Sequence, residues 1–202
     1  MNDTILQNAK DAFLTESEQI KLNADLALSE EFKKAVEILS NAAITGMSGC
    51  GHSGIACMHF AHLMCCIDKP AKFIPPSEAV HGGMGFMSGG GAFVLVSRGG
   101  KTAELIPIMQ IAKAKGCKII CLTENDKSPL ALGSDVILKL KIIKECDKYN
   151  SQGTASFAVT CAVFDALQTA VLENTGFEVE SFALNHPGGA VGERLNEKPL
   201  EF

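Results

Sequence analysis

Ala92-Phe93-Val94-Leu95-Val96-Ser97-Arg98-Gly99-Gly100-Lys101-Thr102-Ala103-Glu104 carries the chain's clearest structural pattern. Its first five residues are apolar without alternation, which suits a strand covered on both faces. A polar, glycine-rich segment follows, and a helix is expected from Ala103 to Lys115, with Gly116 as its C′ residue. Strand, loop and helix in that order make one βα unit of a parallel sheet.

The same unit recurs on either side of this segment. Ala42 to Met47 is a short apolar run ending in Ser48-Gly49-Cys50-Gly51-His52-Ser53-Gly54, with a helical stretch from Ile55 to Ile67. Lys72-Phe73-Ile74 reads as a short second strand, stopped by Pro75 and Pro76. Lys118 to Leu122 and Asp135 to Leu140 read as further strands, and a last helix spans Ser151 to Asn174, closed by Gly176. Residues 4–40 read as two helices broken near Leu28, with Ser29 as an N-cap before Glu30 and Glu31. Such a helical arm outside the βα pattern suits packing on a partner subunit. The prediction is an α/β fold: three layers, doubly wound, with about five parallel strands. Residues 1–40 form the arm and 41–202 the rest of the same domain, without a linker or repeat.

Composition narrows the function. The chain has 202 residues and a formal net charge of -5, with a pI near 5.5 and no basic stripe, which argues against nucleic acid. No uninterrupted apolar run is long enough to suggest a membrane span. Met1-Asn2-Asp3-Thr4 lacks the basic and apolar regions of a signal peptide, so a cytoplasmic location is expected. Eight cysteines occur without CxxC spacing and are expected as reduced core thiols. His59 and His62, three apart on a helix, read better as packed or half-exposed histidines than as a metal site.

In a doubly wound fold ligands bind at the carboxyl ends of the strands, which directs attention to loops 48–54, 75–85 and 97–104. The first satisfies the letters G-x-G-x-x-G after a strand and before a helix. A dinucleotide site would also want an acid at the end of the second strand. That place is Ile74-Pro75-Pro76-Ser77, with Glu78 only afterwards. The physics common to phosphate sites still applies: Gly51 lets backbone approach, Ser53 offers a hydroxyl, and the helix N-terminus is partly positive. A tight turn with no ligand is the plainer alternative.

The second loop repeats the device with Ser97, Gly99, Gly100 and Thr102 before Glu104. Taken alone, Thr102 could be a helix cap and Glu104 a first-turn acid. Repetition across two βα units favours an anion site. His81 lies in Pro76-Ser77-Glu78-Ala79-Val80-His81-Gly82-Gly83, and His186 in Asn185-His186-Pro187-Gly188-Gly189-Ala190-Val191-Gly192. Histidines in such segments suit proton transfer, or else bond nearby backbone as turn residues.

Together these four segments resemble the SIS (sugar isomerase) domain family, most closely the isomerase domain of arabinose 5-phosphate isomerases. Gly-x-Gly-x-Ser-Gly from residue 49 resembles the family's first loop. Ser97 to Leu105 resembles its S-x-S-G-x-T-x-E-L loop. Glu78-Ala79-x-His81-Gly82 and His186-Pro187-Gly188-Gly189-Ala190 resemble segments more particular to those isomerases. The likeness implies a flavodoxin-like five-stranded sheet and a homo-oligomer, a dimer or tetramer, with sites at subunit interfaces. It implies a sugar phosphate ligand held by Gly51, Ser53, Ser97, Gly99, Gly100 and Thr102. It places acid–base roles on Glu104, Glu145 and His186, with His81 and His52 also in the site and no redox cofactor. Three positions depart from the family: His52 stands where the isomerases carry Lys, Gly99 replaces a second Ser, and Lys101 replaces a common acid. The tandem CBS modules common beside this domain are not expected here.

The resulting expectation is aldose–ketose isomerisation of a phosphosugar through an enediol. His186 would be the base, Glu104 and Glu145 its partners, and His52 or His81 an aid to ring opening. The rivals are a non-catalytic sugar phosphate sensor and a nucleotide-dependent oxidoreductase resting on the 49–54 glycines.

Overall fold

The computed structural model describes residues 2–87 and 89–195. The five strands are β1 (Thr45–Gly49), β2 (Ala71–Phe73), β3 (Ala92–Val96), β4 (Lys118–Thr123) and β5 (Val136–Lys139). All pair in parallel, in the spatial order β2-β1-β3-β4-β5. The helices are α1 (Asp3–Lys21), α2 (Glu30–Asn41), α3 (His52–Cys66), α4 (Pro76–Ala79), α5 (Leu105–Ala114), α6 (Pro129–Leu132), α7 (Ala155–Thr175), α8 (Val179–Asn185) and α9 (Gly189–Leu195).

The apolar run Ala92–Val96 is the middle strand of this sheet, and every residue of β3 is buried. Alternation sends Val94 and Val96 into one core with α2, α3 and α7, and Phe93 and Leu95 into a second core with α5. Helices on both faces explain why the strand carries no polar side. α7 is long and apolar enough to cross a bilayer. Here its Val159, Val163, Phe164, Leu167 and Val171 are buried in the first core, where Phe164 stacks on Phe60 of α3.

Several boundaries differ from expectation. α3 begins at His52 rather than Ile55, because Gly51 takes φ +57° and launches the helix three residues earlier. α5 begins at Leu105 rather than Ala103, and Thr102 does not cap it through its side chain; that hydroxyl is 2.8 Å from Ser97 Oγ instead. α7 begins at Ala155 rather than Ser151, because Ser151 and Gln152 donate their backbone N–H groups to the Asp147 carboxylate. Ser29 does cap α2, accepting from Phe32 N at 3.1 Å.

The arm attaches at its second half. Thr15 and Gln19 are buried, whereas residues 3–11 of α1 are exposed all round. Gln19 Oε1 accepts from Ile143 N at 2.7 Å. The Asn23 amide pairs with both backbone groups of Lys141, at 2.8 and 2.9 Å. The arm thereby fixes the segment after β5, which carries Glu145. The domain's expected limits at residues 1 and 202 lie outside the described residues.

Candidate functional site

In this strand order the chain leaves β1 toward one edge and β3 toward the other, so the loops after β1 and β3 part to form a crevice. The crevice is a cavity of about 570 Å³. Gly49, Cys50, Gly51 and Gly54 contribute from the first loop, Pro76, Ser77 and Val80 from the segment after β2, and Glu104 from the second loop. The first loop lines this crevice, the second reaches it through Glu104 while Ser97, Gly99, Gly100 and Thr102 are not among its lining residues, and the 75–85 segment closes its side. Ile55, Met58 and Val80, each more than 40% exposed, make its mouth apolar.

The second loop is built around buried Ser97. Its Oγ accepts from Gly100 N at 3.1 Å and lies 2.8 Å from Thr102 Oγ1. Gly100 has φ +65°, and a Cβ there would meet Ser128 Oγ at 1.9 Å. The position thus admits glycine on both torsion and space. Nothing crowds the Cβ positions of Gly51 or Gly99, so that backbone is open to an approaching ligand. Amides and hydroxyls gathered at strand ends suit an anion.

Behind this loop lies a small cavity where His52, Ser53, Arg98, Glu124 and Ser156 meet the apolar side chains of Val96, Leu122, Leu140 and Phe157. His52 begins α3, its ring 5.8 Å from that of Phe157. Glu145, read from sequence as part of a solvated charge run, has a fully buried side chain. Oε1 accepts from Arg98 Nη1 at 2.7 Å, and Oε2 accepts from Thr154 N and Ser156 N, each at 3.0 Å. Burial acts to raise its pKa, but the Ser156 and Thr154 hydrogen bonds and the Arg98 charge outweigh this and hold it below the usual glutamate range. Glu124 shares Arg98 and goes the other way: burial raises it, against the pull of Arg98.

The structure does not bring all the expected residues together. Glu104 lines the crevice. Gly51 does too, while Ser53 and His52 border the smaller cavity. His81 is exposed just beyond the crevice wall at Val80, its backbone N–H donating to Glu78 O. His186 is elsewhere. It ends α8, with its ring 5.6 Å from Phe182, and its neighbour Asn185 bonds Asp68 at 2.7 Å. Asp68 follows the C-terminal end of α3, whereas the crevice sits at that helix's N-terminal end. Fifteen helical residues separate the two ends, about 22 Å. His186 Nδ1 is buried without a hydrogen-bond partner among the described residues.

Sequence reasoning missed Arg98 and Glu124. Glu124 directly follows β4, so the strand-end rule alone could have flagged it. The histidines outside the site are ordinarily engaged: His59 bonds Asp165 at 2.8 Å and His62 lies 3.7 Å from Cys66 Sγ. Among the described residues no three ligand-type side chains gather as a metal site would require. All eight cysteines are free, and burial pushes the Cys121 thiol up to about 12 and that of Cys161 to about 11.

Comparison with known proteins agrees with this architecture. An arabinose 5-phosphate isomerase (KdsD) of Pseudomonas aeruginosa is 36% identical over 172 residues, covering 83% of this chain and 52% of its own. The Francisella tularensis enzyme of the same name is 33% identical, covering 94% of this chain and 59% of its own. The chain thus spans a little over half the length of these curated relatives. An Escherichia coli CFT073 protein solved in complex with arabinose 5-phosphate superposes with a TM-score of 0.83 at 27% identity, covering 93% of this chain and all of that one. A Listeria monocytogenes structure superposes at 0.89 with 32% identity, covering 93% of this chain and 99% of that one. The SIS domain model matches residues 38–170, from the end of α2 into α7, and the chain belongs to the SIS domain family.

Proposed function

We propose that this chain is a phosphosugar aldose–ketose isomerase acting on arabinose 5-phosphate or a close analogue. The observation that carries the reading is the crevice between β1 and β3, where the glycine-rich first loop faces the Glu104 carboxylate at the end of the second loop. Curated relatives named as arabinose 5-phosphate isomerases, and the neighbour solved with that sugar phosphate, supply the substrate class.

In this reading Gly51, Ser53, Ser97, Gly99, Gly100 and Thr102 hold the phosphate, which anchors the sugar and delivers its reacting carbons to the acid–base groups. Isomerisation moves a proton between C1 and C2 through an enediol and consumes no redox cofactor. Glu104 faces the sugar. Glu145 contributes a fixed negative charge, because each of its oxygens already accepts from protein donors. His81, just beyond the crevice wall, and His52, at the smaller cavity beside it, assist ring opening. His186 is the enediol base and reaches the crevice from a second copy of the chain, since its own crevice lies a helix length away. The site is then formed at a subunit interface of a homodimer or homotetramer. The apolar mouth at Ile55, Met58 and Val80 suits coverage by protein there.

The test is NMR of pentose, hexose and heptose phosphates incubated with the protein in deuterated water. Interconversion with deuterium entering C1 or C2 is expected. Binding without exchange or interconversion for every member would replace this reading with the sensor.

A further inference from the structure

Arg98 joins the ends of three neighbouring strands. Its backbone carbonyl, just after β3, accepts from Glu124 N and Thr123 Oγ1, both at 2.9 Å. Its Nε donates to Glu124 Oε1, and its Nη1 donates to Glu145 Oε1. Glu124 follows β4 and Glu145 lies beyond β5. We propose that Arg98 is a positioning residue for the crevice, holding Glu124 and Glu145 in fixed places against the anion loop without itself taking the phosphate. The inference rests on the isomerase reading of that crevice.

Charge and geometry both support this division of labour. Two carboxylates on one guanidinium leave the group net negative, which is a poor seat for a phosphate. Nε and Nη1 are both engaged, and the rigid planar fork of arginine fixes two carboxylates in set directions, which the freely rotating ammonium of lysine does not. Arg98 is also the donor that Glu145 Oε1 has among the described residues. Without it a buried oxygen loses its partner, and the 145–156 segment that begins α7 loses an anchor. That segment touches the first loop: a Cβ on Gly153 would stand 2.8 Å from His52 Nδ1. A displaced Glu145 would therefore disturb both anion loops through His52 and Arg98. Small misplacement of reacting groups costs catalysis more than binding.

The test compares R98M and R98K with the wild type on the sugar phosphate it turns over. R98M is expected to lower kcat ~10-fold or more while KM stays within about twofold, and R98K to recover a minor part of the loss. A rise in KM with kcat retained would make Arg98 a phosphate ligand and overturn the proposal. Unchanged constants would overturn it too. Should R98M not fold, R98K bears the same comparison.

A second measurement needs no substrate: carboxylate ¹³C titration of Glu145 in the free protein. The charged groups acting on Glu145 are Arg98 after β3 and Glu124 after β4; His52 at the start of α3 reaches the same segment at Gly153, and Glu16 of α1 reaches it at the Cys146 thiol. The Glu145 midpoint is expected to rise in either variant, and an identical midpoint would overturn the proposal. A wild type that turns over no member of the panel while the midpoint still moves would count against the isomerase reading alone.

Discussion

Glu145 shows how a residue's neighbours decide its chemistry. In sequence it stands among Lys144 and Asp147 and resembles a solvated surface run. In the fold it accepts from the backbone at the start of α7 and from Arg98, 47 positions away. No local pattern contains those partners, so only the family resemblance pointed to it. Its stability contribution has a definite sign. A carboxyl held below its ordinary range binds fewer protons folded than unfolded, so it stabilises above the ordinary glutamate pKa of about 4.3. That contribution fades as pH falls through the lowered folded value. Glu145→Gln sets an amide donor against either the Arg98 guanidinium or the Thr154 and Ser156 N–H groups and is expected to cost roughly 1–3 kcal/mol at pH 7. Urea unfolding of both proteins from pH 7 to pH 3 checks this: the gap should shrink toward acid, and a gap of constant size would refute the account.

At the scale of elements, the strands were readable because burial on both faces writes an unbroken apolar run into each of β3 and β4. Helix starts were less readable because glycine and side-chain hydrogen bonds outside the helix set them, as at Gly51 and Asp147. The short α4, α6, α8 and α9 fall below the length at which helical periodicity is visible. One of them matters to the site. Ser128 caps α6, accepting from Ala131 N at 3.3 Å, and its hydroxyl sits where a Cβ on Gly100 would fall. The anion loop and α6 therefore share one spot. Gly100→Ala forces a left-handed torsion on alanine and pushes α6 from the sheet. A loss of roughly 2–4 kcal/mol is expected. Thermal unfolding should show Tm lower by about 5–15 °C, and a variant of unchanged Tm would show that the loop can re-form around a side chain.

For the whole molecule, the distance between His186 and the crevice is the fact to be explained. Sequence alone could place both in one functional set but could not say that they occupy opposite ends of α3. Exposed apolar residues along α1 add to the case for assembly: Ile5, Leu6, Phe13 and Leu14 are each more than half exposed. A lone helix projecting into water is marginal unless something packs on it. If a second copy supplies His186, two inactive variants should repair each other. His186→Ala keeps Glu104, and Glu104→Gln keeps His186. A mixed pair then contains one crevice with both groups intact and one with neither. Unfolding and refolding the two together in equal amounts makes half the pairs mixed, so activity should recover to about a quarter of the wild-type value. Each variant refolded alone should stay inactive, and dilution that separates the copies should abolish the recovered activity. Recovery no greater than the sum of the two variants refolded separately would place His186 and Glu104 in the same chain's site, and would require α8 and α9 to move the length of α3 to reach it.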